Sequence, residues 1–154
     1  MDEAAFAVLE AELRARHRDL ERIGERIEDR RTTFANGAEA VDSLGYQLHN
    51  LYSAFEQLLE EVARSFENRI EAAGYHSDRI RRMRLDIPGI RPALLSERTA
   101  LDLDELRRFR HRFRHAYAAE LDPEKIAALA GKTRQIREDF ARDLERFLAR
   151  LRPQ

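Results

Sequence analysis

The 154-residue chain sets 28 Lys or Arg against 29 Asp or Glu, with five His, no Cys, 37% charged and 43% hydrophobic residues. Without Cys, disulfides and thiolate metal sites are excluded, and no apolar run approaches the roughly 20 residues of a membrane span. One helical domain over residues 1–154 is expected, soluble and cytoplasmic, because the acidic start Met1-Asp2-Glu3 lacks the basic-then-apolar layout of a secretory signal.

Helical periodicity governs the chain from its start. Phe6, Leu13, Leu20, Ile27 and Phe34 recur every seven residues, with Leu9 and Ile23 between them. This three-four spacing puts them on one stripe, and Thr32-Thr33 followed by Asn36-Gly37 predicts an end near residue 32. In the second segment Val41, Leu48, Phe55 and Val62 form one row and Leu44, Leu51 and Leu58 the other. Leu59, Phe66 and Ile70 carry the stripe to about residue 72, where Ala73-Gly74 is a stop signal. Gly45 lies inside this helix at a cost of about 1 kcal/mol relative to Ala. Either another backbone approaches closely there or the glycine is incidental.

Beyond Gly74 the character changes. Ser77-Asp78 predicts a short third helix through Met83 or Leu85, bearing the basic cluster Arg79, Arg81, Arg82 and Arg84. Pro88-Gly89 and Pro92 forbid a regular helix over residues 87–92. Asp102 with Glu105 three residues later has the form of a helix start, predicting a fourth helix from there to about Ala119. Asp122-Pro123-Glu124 starts the last helix, which Ile126, Leu129, Ile136, Phe140, Leu144, Phe147 and Leu151 carry to the end. The expected fold is all-α: an antiparallel bundle of four long helices plus a short one.

Charge is unevenly spread. Residues 107–117 hold five Arg, two His and no acid, so this window carries +5 and the rest of the chain −6. On a helix, Leu106, Phe109, Phe113 and Ala116 occupy an arc of about 80°, while Arg107, Arg110, His111, Arg114 and His115 fill another of about 140°. One side faces a core; the other presents guanidinium groups, which hold phosphate bidentately, and imidazoles, which exchange protons near neutral pH. A solvated face is the plain alternative. Like charges on adjacent turns repel, however, and a bound anion relieves them.

The run Arg110-His111-Arg112-Phe113-Arg114-His115-Ala116-Tyr117 resembles the signature of the HEPN superfamily, and more narrowly the R-x-x-x-x-H-x-Y pattern of HepT-type toxins. Residues Arg91-Pro92-Ala93-Leu94-Leu95-Ser96 leading into Leu106-Arg107-Arg108-Phe109-Arg110 are also similar to that branch. The resemblance implies a metal-independent endoribonuclease that works as a homodimer with two motif helices at a cleft and needs no cofactor. It implies Arg110 and His115 as the catalytic pair and His111 in the motif's polar slot. It also implies Tyr117 as the residue that an MntA-like nucleotidyltransferase antitoxin silences by transferring AMP.

RNA carries its own nucleophile, the 2′-OH, so an enzyme must supply a base, an acid and cations for the charge on phosphorus. His115 suits proton transfer and Arg110 charge stabilisation, with Arg107 and Arg114 on neighbouring phosphates. Around the helix the pair is about 140° apart, and along it about 7.5 Å, so a second copy facing the first would complete the site. His17, His49 and His76 have no partner at metal-ligand spacing, and Tyr46, Tyr52 and Tyr75 read as packing residues. Two other readings remain open: a non-catalytic module that binds RNA or a nucleotidyltransferase through the same basic face, and a coiled-coil scaffold built on the sevenfold rows.

Overall fold

The computed structural model describes residues 1–33, 37–67, 75–115 and 121–154. They form five helices, α1 (Glu3–Thr32), α2 (Ala38–Glu67), α3 (Tyr75–Arg82), α4 (Glu97–His115) and α5 (Pro123–Leu151), and no strand. None of these helices is long and apolar enough to cross a membrane.

The periodic residues do what their spacing predicts. Phe6, Leu9, Leu13, Leu20 and Ile27 of α1 are buried, as are both rows of α2. The α5 stripe joins them, with Phe140 set edge-on to Phe55 at 5.1 Å between ring centroids and Phe147 edge-on to Phe66 at 6.4 Å. Phe34 and Ile70 lie outside the described residues, as does the predicted stretch of α2 beyond Glu67.

Cross-helix contacts fix the directions. Arg16 pairs with Glu61 and Arg30 with Ser43, so α2 runs back along α1. Arg14 with Glu145 and Arg137 with Glu21 make α5 antiparallel to α1. Arg110 with Glu56 and Phe113 with Gly45 set α4 antiparallel to α2, and Lys132 with Glu105 and Ser96 with Asp143 set α5 antiparallel to α4. α2 and α5 touch across the middle, whereas α1 and α4 do not meet. The result is the expected antiparallel bundle, with α3 as a short insertion against α4 and α2.

Two helix starts differ from the expectation. α3 already includes Tyr75, upstream of Ser77-Asp78. α4 begins at Glu97, well before Asp102. Ser96 takes the capping position: its Oγ accepts from Thr99 N at 3.3 Å, while its own N and Oγ donate to Asp143 Oδ2 at 2.8 and 2.9 Å. The start of α4 is therefore held by a buried carboxylate of α5, 47 residues away, which no local pattern reveals. Asp102 becomes a helix-interior residue whose carboxyl burial pushes upward, against the nearby charge of Arg98. The predicted start at Asp122 holds: its carboxylate accepts from Glu124 N at 3.0 Å, with Pro123 in the first turn.

In the link between α3 and α4, Gly89 adopts φ +76° in the turn that Pro88 opens. Buried Arg91 donates to the carbonyls of Arg82 (3.2 Å), Leu85 (3.2 Å) and Pro92 (3.3 Å), closing off the end of α3. Gly45 also has a packing reason, but it is a side chain rather than a backbone. A Cβ there would lie 3.0 Å from the edge of the Phe113 ring, so the glycine lets α4 seat that ring against α2.

Candidate nucleic-acid interface

The site is built on the last two turns of α4 and the facing flank of α2. Leu106 and Phe109 are buried and Phe113 packs against the same cluster, which turns the rest of α4's circumference outward. His111, Arg112, Arg114 and His115 are exposed, and no carboxylate among the described residues pairs with any of them. The two imidazoles sit one turn apart with ring centroids 4.6 Å from each other. Four groups able to carry or hold positive charge are thus exposed within five successive residues of α4.

Arg110 is placed differently from its neighbours. It folds down against α2, where Nη2 reaches Glu56 Oε2 at 3.0 Å and Nη1 donates to Ser53 Oγ at 3.3 Å. Its guanidinium carbon stands 4.9 Å from the centroid of the Tyr52 ring. The Ser53 hydroxyl donates in turn to the His49 carbonyl at 3.0 Å. Arg110 and Glu56 are both mostly buried, so the pair works in a medium of reduced dielectric where geometry is held firmly. Arg107 is also engaged, its Nε lying 2.8 Å from Asp104 Oδ1, and Arg108 approaches the same carboxylate at 3.5 Å.

The window that reads as free of acids is therefore partly neutralised. Asp104 stands less than one turn before it, and Glu56 comes from another helix. The surplus is concentrated in Arg112, Arg114 and the two imidazoles. Tyr117 lies outside the described residues.

Four α2 residues belong to this site although their sequence context hides them: His49, Tyr52, Ser53 and Glu56. They follow one another at helical spacing along the flank of the buried stripe, which is the only local signal; the link from Ser53 to Arg110 spans 57 residues of chain. His49 lies 5.7 Å from Phe113, ring centre to ring centre. Burial lowers its tendency to take a proton, and the charges of Arg110 and Arg114 lower it further. Burial raises the Tyr52 hydroxyl well above its ordinary range, with Glu56 adding to the effect, so this phenol stays protonated.

The other basic cluster is engaged within the fold. Arg79 is buried 4.0 Å from Glu60, Arg81 lies 3.5 Å from Asp78, and Arg84 reaches Glu97 at 3.6 Å. No cluster of three or more potential metal ligands occurs among the described residues.

No curated protein and no solved structure matches the chain. A family profile described as HepT-like protein matches residues 43–151, from the second turn of α2 to the end of α5, and so includes both faces of the site. The chain accordingly belongs to the HepT-like proteins, within the HEPN superfamily.

Proposed function

We propose that the protein is a metal-independent endoribonuclease of toxin type that cleaves RNA at the Arg/His end of α4. The observation that carries this reading is the exposed cluster of His111, Arg112, Arg114 and His115 beside the buried Arg110–Glu56 pair. In the reaction a base removes the 2′-OH proton, the 2′-oxygen bonds to phosphorus, and the P–O5′ bond breaks as an acid protonates the leaving oxygen. The products are a 2′,3′-cyclic phosphate and a free 5′-hydroxyl, with no metal in the balance. His115 moves the proton, Arg110 meets the charge that builds on the phosphoryl oxygens, and Arg114 holds a flanking phosphate, with Arg107 and His111 supporting.

A single α4 presents its imidazoles outward while Arg110 is held against α2. A two-fold pairing of α4 ends would supply the second proton-transfer group, so the working unit is a homodimer. The whole chain, α1 included, acts as one domain, and a nucleotidyltransferase partner silences it by placing AMP on Tyr117 in the cytoplasm. A non-catalytic binding module is the second reading, and the ion pair that already neutralises Arg110 favours it.

Turnover separates the two. Purified protein is expected to cleave RNA undiminished in excess EDTA, and His115→Ala to lower the rate about 10²- to 10⁴-fold with an unchanged helical spectrum. Cleavage that vanishes with EDTA and returns with Mg²⁺, or that survives His115→Ala, would refute this mechanism. Salt-sensitive RNA binding without any cleavage would establish the second reading.

A further inference from the structure

Four rings form a line from the core to the surface along the α2–α4 seam. Phe109 is buried and lies 5.8 Å from Phe113 at an interplanar angle of 29°. Phe113 lies 5.7 Å from His49, and His49 lies 6.5 Å from Tyr46 with the two planes only 17° apart. Tyr46 ends the line and is 55% exposed. Gly45, its chain neighbour, is the residue whose missing Cβ leaves room for Phe113. The line is thus backed by packed structure up to its last member, and that member shows an aromatic surface to solvent.

Charge decides what such a ring is suited to meet. Arg110 is held at Ser53, whose hydroxyl bonds to the His49 carbonyl, and Arg114 follows Phe113 directly on α4, so guanidinium groups flank the ring line. His49 itself is kept neutral, and a neutral imidazole nearly parallel to Tyr46 buttresses it without adding repulsion. Packed aromatics, an exposed terminal ring and adjacent Arg are the components with which proteins hold unpaired nucleotides: the base stacks and the backbone follows the cations. A duplex offers no free base face at this position.

We propose that Tyr46, buttressed by His49 and Phe113, is a stacking subsite for an unpaired base of single-stranded RNA whose adjoining phosphate rests on Arg114. The proposal rests on RNA being the substrate and specifies its form: the strand must be unpaired next to the cleavage point.

The test is equilibrium binding, measured by fluorescence anisotropy in a His115→Ala background so that no RNA is consumed. Three probes of equal length are used: a labelled single-stranded oligoribonucleotide, an abasic strand of the same backbone charge, and a duplex. Adding Tyr46→Ala is expected to weaken single-strand binding about tenfold, within the range of one lost base stack. Tyr46→Phe is expected to restore it, and both the abasic strand and the duplex to bind equally well whether or not the Tyr46 ring is present. Equal single-strand affinity with and without the ring overturns the subsite while leaving RNA as substrate. A change of oligomeric state on Tyr46→Ala, seen by light scattering, also overturns it and assigns the ring to contact between copies. No binding of any RNA by the parent protein removes the subsite and the nuclease reading together.

Discussion

Arg137 on α5 and Arg110 on α4 are each mostly buried and each pair with a glutamate of the neighbouring antiparallel helix, one on the α1–α5 seam and the other on the α2–α4 seam. Arg137 Nη1 lies 2.6 Å from Glu21 Oε2, and Arg110 Nη2 lies 3.0 Å from Glu56 Oε2. Each acid has a histidine upstream on its own helix, His17 one turn before Glu21 and His49 two turns before Glu56. Each seam also contains a glycine that makes room, Gly24 for Arg137 itself and Gly45 for Phe113. The surroundings differ. A cavity of about 230 Å³ beside Arg137 is lined by Arg134, Glu21 and Glu138, so positive and negative groups balance. Beside Arg110 the cations of the α4 end outnumber the acids. A buried Arg paired with a Glu is thus no mark of function by itself; the uncompensated charge next to it is.

The largest expected effect breaks the two pairs in turn. Arg110→Met removes a cationic partner from a Glu56 side chain that is only 17% exposed, and about 2 kcal/mol of stability should be lost, with RNA cleavage down at least about 10²-fold. Arg137→Met leaves a Glu21 side chain 36% exposed, which water can solvate, so about 1 kcal/mol is expected, with cleavage unchanged. Adding Glu56→Gln to Arg110→Met should recover most of the stability and none of the activity. Urea unfolding and a cleavage assay on the same preparations check all three. Equal activity loss in Arg110→Met and Arg137→Met would erase the distinction between the two seams.

The same contrast shows what the sequence could and could not reveal. Both sevenfold rows of α2 and the stripe of α5 were legible because burial of a helix face leaves a local period, and Asp122-Pro123 was legible because a cap is made within one turn. The α4 start was not: Ser96 caps only because Asp143 of α5 braces it, and the closer pattern at Asp102 falls mid-helix. At the site, the motif residues of α4 were readable as a group. Their division into an inward Arg110 and an outward Arg114 and His115 depends on Glu56, Ser53 and Tyr52, whose spacing on α2 carries no trace of α4. The surplus of charge was overestimated for the same reason, since Asp104 lies just upstream of the window and Glu56 in a different helix.

The glycines provide a smaller effect that sharpens the comparison. Alanine gains about 1 kcal/mol over glycine inside a helix. At Gly24 the new methyl would collide with the far end of the Arg137 side chain and force it off Glu21; losing that pair offsets the helix gain, so Tm should stay within about 2 °C with unchanged cleavage. At Gly45 the methyl meets a ring edge at 3.0 Å, which can yield by a few tenths of an ångström. The helix gain then offsets the strain and Tm should stay within about 2 °C. Displacing Phe113 shifts the end of α4, however, and cleavage should fall about threefold, a misplacement effect. Differential scanning calorimetry and initial rates distinguish these outcomes; an activity loss in Gly24→Ala without one in Gly45→Ala would reverse the assignment of the two seams.

The smallest expected effect lies in the two histidines, which protonate less readily in the fold than in the unfolded chain. Burial is the main cause for both; at His17 the acids Glu21 and Glu145 oppose it and Arg14 and Arg137 assist, whereas at His49 Arg110 and Arg114 assist and Glu56 opposes. The unfolded chain therefore binds more protons once pH drops through about 6.5, and stability that is complete above that value declines until the lowered folded values are passed. Tm should accordingly fall between about pH 7.5 and about pH 5, with His17→Gln and His49→Gln each flattening the decline. Arg114→Gln separates the seams. It removes one of the charges acting on His49 and none of those acting on His17, so by NMR the His49 ring should titrate at a higher pH than in the parent while His17 stays in place. A His49 midpoint that ignores Arg114 would mean that burial alone sets it, and that the cations at the end of α4 do not reach across to α2.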